Sequence, residues 1–294
     1  MRCYVFHIHW PSRYVVCPIR EQAGDAQYNS AVIIDRSGHV IPALSGEMAY
    51  RKVYPVLGVN PGPDGGAPLL GGGEPGTHPG PSGVQAWDLD FGRVAILICM
   101  DINFPEVWHE AYALGAEVVL WPTTMTTPNF DSQSFARLYR YNVVAGGRPG
   151  DIVDVLGRSF NAAQVCHNSS SAAAAGFCIL NATLDLDRVF MHECCGTCAP
   201  LLAALAKHPE LELELHGCGY KYGTPDAVGY MTEQAVMLLR SKEPSSVSAR
   251  QVMQDAGVLS LREILTLSRQ GLNSLRQHGQ PIPNTTQDNH VLVT

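Results

Sequence analysis

An α/β fold is predicted by three observations. Residues 93–99, RVAILIC, run from one charge through unbroken apolar residues to a single cysteine, the pattern of a strand buried on both faces. Residues 104–114, FPEVWHEAYAL, have Pro105 near the start, Gly115 just past the end, and Phe104, Val107, Ala111 and Leu114 at helical spacing. Residues 117–122, EVVLWP, then read as a second buried strand, so Cys99 sits between strand and helix in a strand–helix–strand unit.

The other elements follow in order. YVVCPI (14–19) and SAVIID (30–35) are β-rich runs on either side of a polar turn, REQAGDAQYN, and Asp35 to Gly38 turns the chain into HVIPAL. Residues 58–83 hold ten glycines and six prolines, which excludes helix and central strand and predicts a surface loop or insertion. VQAWDLD (84–90) alternates as a half-buried strand does. Further on come a helix near 132–141, strands NVVAGG, DIVDVLG and FCILNATLDLD, and a Ser/Ala-rich loop at 168–175. Helical segments are expected to dominate the last hundred residues, at 246–256 and 261–276, the latter opened by a Ser260/Glu263 capping box. The domain organisation expected is one domain over residues 1–230 and a helical C-terminal extension over 231–294.

Composition narrows the function. The chain has 294 residues, 20 basic against 27 acidic, for a net charge of −7, and no Lys/Arg cluster of the kind that neutralises phosphates, so nucleic acid is not an expected partner. No apolar run reaches the ~18 residues that cross a bilayer, and MRCYVFHIHW lacks the apolar core of a signal peptide. A soluble, cytoplasmic protein without membrane contact is expected. Nine cysteines, odd in number and unevenly spaced, do not form a secreted disulfide framework, and most are expected to be reduced. His192, Cys194, Cys195 and Cys198, with His216 and Cys218 downstream, have one zinc-like spacing, but a second C-x-x-C pair is lacking and plain thiols are the simpler reading; no metal site is assigned.

A lone thiol ending an apolar strand is usually packing. Its place at a strand's C-terminal end, where open α/β folds bind ligands and the next helix's amides favour thiolate, raises it to a candidate nucleophile. Residues 91–123, with Cys-x-Asp followed two residues later by Phe-Pro-Glu, closely resemble the nucleophile region of the nitrilase superfamily, the carbon–nitrogen hydrolases. YNSAVIIDRSGHV (28–40) is similar to that family's Asn-Thr-Ala strand pair, YRKVYPV (50–56) to the segment bearing its catalytic lysine, and GDIVDVLGR and ATLDLDR to late strands.

The resemblance implies a four-layer αββα sandwich and homodimers or larger assemblies. It implies Cys99 as nucleophile and Lys52 as stabiliser of the charge developing on the substrate, a role worth about 3 to 4 kcal/mol in comparable sites. The substrate implied is a small nitrile or amide, attacked to form a thioimidate or thioester, with no cofactor. Glu74, in EPGTHPG, loosely fits a second family glutamate between lysine and cysteine; the other reading is a solvated loop charge. The family's glutamate base, in a Pro-Glu strand end well before the Asn-Thr-Ala block, would fall before Met1, so the sandwich is expected to be N-terminally incomplete, with an exposed apolar edge beside YVVCPI. Glu21, Glu47 and Glu106 do not fit that position. Two expectations result: a thiol hydrolase, or a catalytically degenerate member serving as a binding or assembly module.

Overall fold

The computed structural model describes residues 4–5, 13–56, 73–124, 130–147, 150–160, 165–167, 177–191, 198–216, 236–243 and 247–282. The chain divides into two compact units, Met1–Leu186 and Asp187–Thr294. The boundary expected at 230/231 lies outside the described residues, as does most of the 192–198 cysteine cluster.

In the first unit, β1 (Tyr4–Val5), β2 (Val15–Ala23), β3 (Ala26–Ile34) and β4 (Val40–Ile41) form an antiparallel sheet in that order, and β5 (Tyr50–Arg51) also pairs with β3. The polar stretch expected as a turn is instead mostly strand: β2 and β3 stay paired from Val15↔Ile34 to Ala23↔Ala26, and only Gly24 and Asp25 reverse the chain. Gly24 makes this tight reversal with φ +60, which glycine adopts without steric cost. The apolar edge expected beside β2 is partly covered, because β1 pairs Tyr4 with Val16 and Val5 with Val15. Alternation along β3 sends Ala31 and Ile33 into the main core and Val32 to the opposite face, with Cys17 and Ala49. Cys17 is disulfide-bonded, an exception to the expectation of reduced thiols, whereas Cys99 is free.

The second sheet comprises β6 (Gln85–Leu89), β7 (Gly92–Ile96), β8 (Val118–Pro122), β9 (Asn142–Gly146) and β10 (Asp151–Val153), in order β10-β9-β8-β7-β6. Its three middle strands are parallel and its two edges antiparallel. Parallel neighbours need crossovers: α1 (Pro105–Ala113) joins β7 to β8 and α2 (Phe130–Tyr139) joins β8 to β9. The two sheets and α1 share one core, with Ile33 and Tyr50 from the first, Trp87, Val94, Ile96 and Trp121 from the second, and Val107, Trp108 and Ala111 from α1. The sheets are also tied by the Trp87 indole N–H, which donates to the Ile41 carbonyl at 3.1 Å. A short hairpin follows, β11 (Val165–His167) with β12 (Phe177–Ile179). The rest of the run expected as a strand through Asp187 is irregular; its alternation meets no partner strand among the described residues, and a ladder needs one.

The second unit is less purely helical than expected. β13 (Val189–Met191), β14 (Leu211–His216) and β15 (Val236–Ser241) form an antiparallel sheet in the order β13-β15-β14, with α3 (Cys198–Lys207), α4 (Ala249–Asp255) and α5 (Leu261–His278). Leu211 and Leu213 of β14 join an apolar core with Leu201, Leu239, Val252 and Met253, while Glu212 and Glu214 pair with Arg240, and Glu214 also with Arg188. The capping box of α5 forms as predicted, Glu263 N–H donating to Ser260 Oγ and Ser260 N–H to Glu263. Among the described residues no helix is long and apolar enough to cross a membrane.

Candidate active site

The chain is buried from Val94 of β7 through Ile98, and the backbone then turns sharply. Cys99 has φ +47, the left-handed region that a non-glycine residue enters at a cost of order 1–3 kcal/mol. It opens a short 3-10 turn, Cys99–Asn103, so this turn stands between the thiol and α1, which begins only at Pro105. Trp121 of β8 fixes the strained residue by donating its indole N–H to the Cys99 carbonyl at 3.0 Å. The Cys99 side chain is half-buried and unoxidised.

Lys52 directly follows β5 and is wholly buried. Its main chain is held on both sides: Lys52 N–H donates to the Asn29 carbonyl, and Gly80 N–H donates to the Lys52 carbonyl, both at 2.8 Å. A side chain at position 80 would put its Cβ 2.1 Å from the Arg51 carbonyl oxygen, so this close approach requires glycine. The Lys52 ammonium donates to both oxygens of Glu74 at 3.1 Å. Glu74 also accepts from the Asn29 amide at 2.6 Å and from Val56 N–H at 2.9 Å. Burial raises the Glu74 carboxyl, but the Val56 amide, the charge of Lys52 and the Asn29 and Lys52 hydrogen bonds outweigh it and hold the group below its ordinary value. Glu74 is therefore an ionised, built-in partner of Lys52 rather than a solvated loop charge.

The lysine segment and the thiol turn meet at Asp101, which is fully buried. Its carboxylate accepts from the Tyr50 hydroxyl at 2.6 Å, from Ile98 N–H at 2.7 Å and from Tyr54 N–H at 3.1 Å. Burial pushes this carboxyl up to about 6, against the lowering effects of these three donors and of Lys52. Two further contacts close the seam: Tyr54 stacks on Phe104 with ring centroids 3.7 Å apart, and its hydroxyl donates to Glu106 at 2.7 Å.

Of the three residues read from the sequence, Lys52 and Glu74 are in direct contact, and the backbone bearing Lys52 is bonded to the Cys99 turn through Asp101. The other carboxylates considered lie elsewhere: Glu21 is paired with Arg51 at 2.6 Å, Glu47 accepts from Ser82, and Glu106 accepts from Tyr54. Asp101, Tyr50 and Asn29 join the site without having been expected from the sequence. A carboxylate two residues past the thiol and beside apolar strand sequence was the available signal for Asp101; Tyr50 and Asn29 carried none, since their role depends on strand pairing. Among the described residues no cluster of three or more His, Cys, Asp or Glu is arranged to hold a metal ion.

Known proteins are similar to this chain over part of its length. The carbon-nitrogen hydrolase family model matches residues 10–137, ending before the late strands read as part of the resemblance. The chain is 32% identical to a citrullinase of Francisella tularensis over 118 residues, covering 38% of this chain and 35% of that protein. It is 27% identical to a nitrilase of Pyrococcus abyssi over 115 residues, covering 39% and 36%. The chain thus spans about a third of the length of these curated relatives. An amidase structure from Nesterenkonia sp. is 18% identical, with a TM-score of 0.39 and coverage of 51% of this chain and 56% of that one. Lys52, Glu74, Cys99 and Asp101 all lie within residues 10–137, the part of the chain that is similar to the carbon-nitrogen hydrolase family model.

Proposed function

We propose that this protein is a thiol-dependent hydrolase of non-peptide carbon–nitrogen bonds, taking a small amide or nitrile. The observation that carries the reading is a buried lysine, paired with Glu74, on a strand end bonded to the turn of a half-buried free cysteine. Acyl transfer needs this pair of groups: a nucleophile, and a fixed positive charge where negative charge develops.

In the amide case the Cys99 thiolate attacks the carbonyl carbon and the carbonyl electron pair moves onto oxygen, where the Lys52 ammonium stabilises it. Collapse of this species breaks the C–N bond, the amine leaves with the proton that the Cys99 thiol gave up on becoming the thiolate, and a thioester remains on Cys99. Water then attacks the thioester, releasing the carboxylic acid and restoring the thiol. A nitrile would first add the thiol to give a thioimidate, one water would convert this to the same thioester with release of ammonia, and a second water would free the acid. Glu74 holds the Lys52 ammonium in place through both of its oxygens. Its oxygens already accept from Asn29, Val56 and Lys52, so it is poorly placed to take the thiol proton, and acylation by activated acyl donors should outrun amide turnover.

That same saturation of Glu74 favours a second reading, a degenerate member that binds ligands or partners without turnover. Intact and peptide mass spectrometry after incubation with p-nitrophenyl acetate, and separately with acetamide, distinguishes them. An acetyl adduct on Cys99, absent in Cys99→Ala, supports the hydrolase. A thiol that reacts with methyl methanethiosulfonate but takes no acetyl group supports the module. We further propose a homodimer or larger assembly, tested by sedimentation; a monomer stable at all concentrations would overturn it.

A further inference from the structure

We propose that Asp101 is a positioning residue, a buried latch that holds the charge of Lys52 in register with the sulfur of Cys99. The inference rests on the hydrolase reading and adds to it a residue that touches neither substrate nor the reacting atoms. Lys52 follows β5 of the first sheet and Cys99 lies beyond the end of β7 of the second, so nothing local keeps them aligned. The carboxylate of Asp101 spans that gap. One oxygen accepts from Tyr54 N–H, two residues after Lys52, and the other from Tyr50, two residues before it. The second oxygen also accepts from Ile98 N–H, the residue preceding Cys99. Lys52 is thus bracketed on both sides by donors to one group, and Cys99 is flanked by that group and one of its donors.

The latch is rigid for three reasons. Asp101 and Tyr50 have no solvent exposure, so no water competes for their bonds. The Tyr50 hydroxyl is itself held, accepting from Val53 N–H at 3.4 Å while it donates to Asp101. The backbone of Asp101 is anchored separately, its carbonyl accepting the Trp108 indole N–H at 3.0 Å from α1. A displacement of about 1 Å between a nucleophile and the group that stabilises its transition state can cost on the order of a hundredfold in rate.

The test compares two reactions of the same thiol, both read at Cys99 by peptide mass. Acetylation by p-nitrophenyl acetate forms a sulfur–carbon bond, passes through an oxyanion and expels p-nitrophenolate, so it needs Lys52 in register. Reaction with methyl methanethiosulfonate forms a sulfur–sulfur bond and expels methanesulfinate, with no oxyanion at carbon. In Asp101→Asn, and in the milder Tyr50→Phe should the former not fold, the acetylation rate constant should fall roughly 10- to 100-fold at an unchanged half-saturating ester concentration. Thiol exchange should stay within about twofold of wild type, because the latch acts on alignment and not on the nucleophile. Equal loss of both reactions would show that the substitution disorders the Cys99 turn itself and would overturn the latch, as would wild-type acetylation in both variants. A wild-type protein that exchanges but never acetylates would overturn the hydrolase reading, and the latch with it.

Discussion

The Lys52 ammonium lies 3.1 Å from each carboxylate oxygen of Glu74, although Glu74 follows a stretch rich in glycine and proline and the two residues are 22 apart in sequence. A buried ammonium without an anion costs several kcal/mol, so this contact explains how a lysine with no solvent exposure is tolerated. It also defines the first prediction. Glu74→Gln leaves the cation buried and unpaired, whereas Lys52→Met leaves only a partly exposed carboxylate, 23% exposed in the native state. Urea unfolding should show Glu74→Gln as the more damaging change, by about 1 to 3 kcal/mol once partial exposure is allowed for. Both variants should lose acetylation of Cys99. Equal stability of the two would argue that the pair is not electrostatically significant.

Gly80 gives a second prediction. Gly80→Ala would set a methyl group 2.1 Å from the Arg51 carbonyl oxygen, a backbone atom that cannot step aside cheaply. The loop must shift, taking with it the Gly80 N–H bond to the Lys52 carbonyl. A loss of about 1 to 3 kcal/mol is expected, with a parallel fall in the acetylation rate at Cys99. Unchanged acetylation would show that the loop does not set the lysine's position.

Trp121→Phe tests the strained thiol turn. It keeps most of the buried ring volume but removes the indole N–H that the Cys99 carbonyl accepts. Stability should drop by about 1 kcal/mol, and Cys99 should react with methyl methanethiosulfonate at a changed rate as its left-handed conformation relaxes. Wild-type stability and thiol kinetics together would mean that Trp121 only packs.

The Asp101 carboxyl yields a pH prediction. Folding raises it from 3.8 to about 6. Between those values the folded state holds a proton that the unfolded chain has released, so this group's contribution to stability is full at low pH and falls as pH rises toward 6. Glu74, lowered by folding, acts in the opposite sense: its contribution is present above its ordinary value of 4.5 and is lost as pH falls through its folded value. Asp101→Asn removes the first effect alone. The stability difference between wild type and Asp101→Asn should therefore favour wild type more at pH 4.5 than at pH 7, by about 2 kcal/mol. A difference independent of pH would mean that Asp101 ionises normally in the folded protein.

What the sequence determined alone was whatever depends on neighbours in the chain. The apolar run ending at Cys99, the 3.6-residue spacing of α1 with Pro105 and Gly115 at its ends, and the Ser260/Glu263 box are local patterns, and each became the element it predicted. The motif around Cys99, with the lysine segment, was likewise legible as a family signature. Tertiary structure decided the rest, because it depends on which strands pair. The strand character of the polar stretch around Gly24 comes from its ladder with β3. The sheet in the second unit draws together strands from Val189 to Ser241, although the last hundred residues read mostly as helix. Glu74 lies in a segment with no period to read, and only folding against Asn29 and Lys52 changes it from a loop charge into an ion-pair partner. Asp101 was visible in its motif, but its place between the two segments needed β5 and β7 to be brought together, since burial and long-range hydrogen bonds belong to the assembled core.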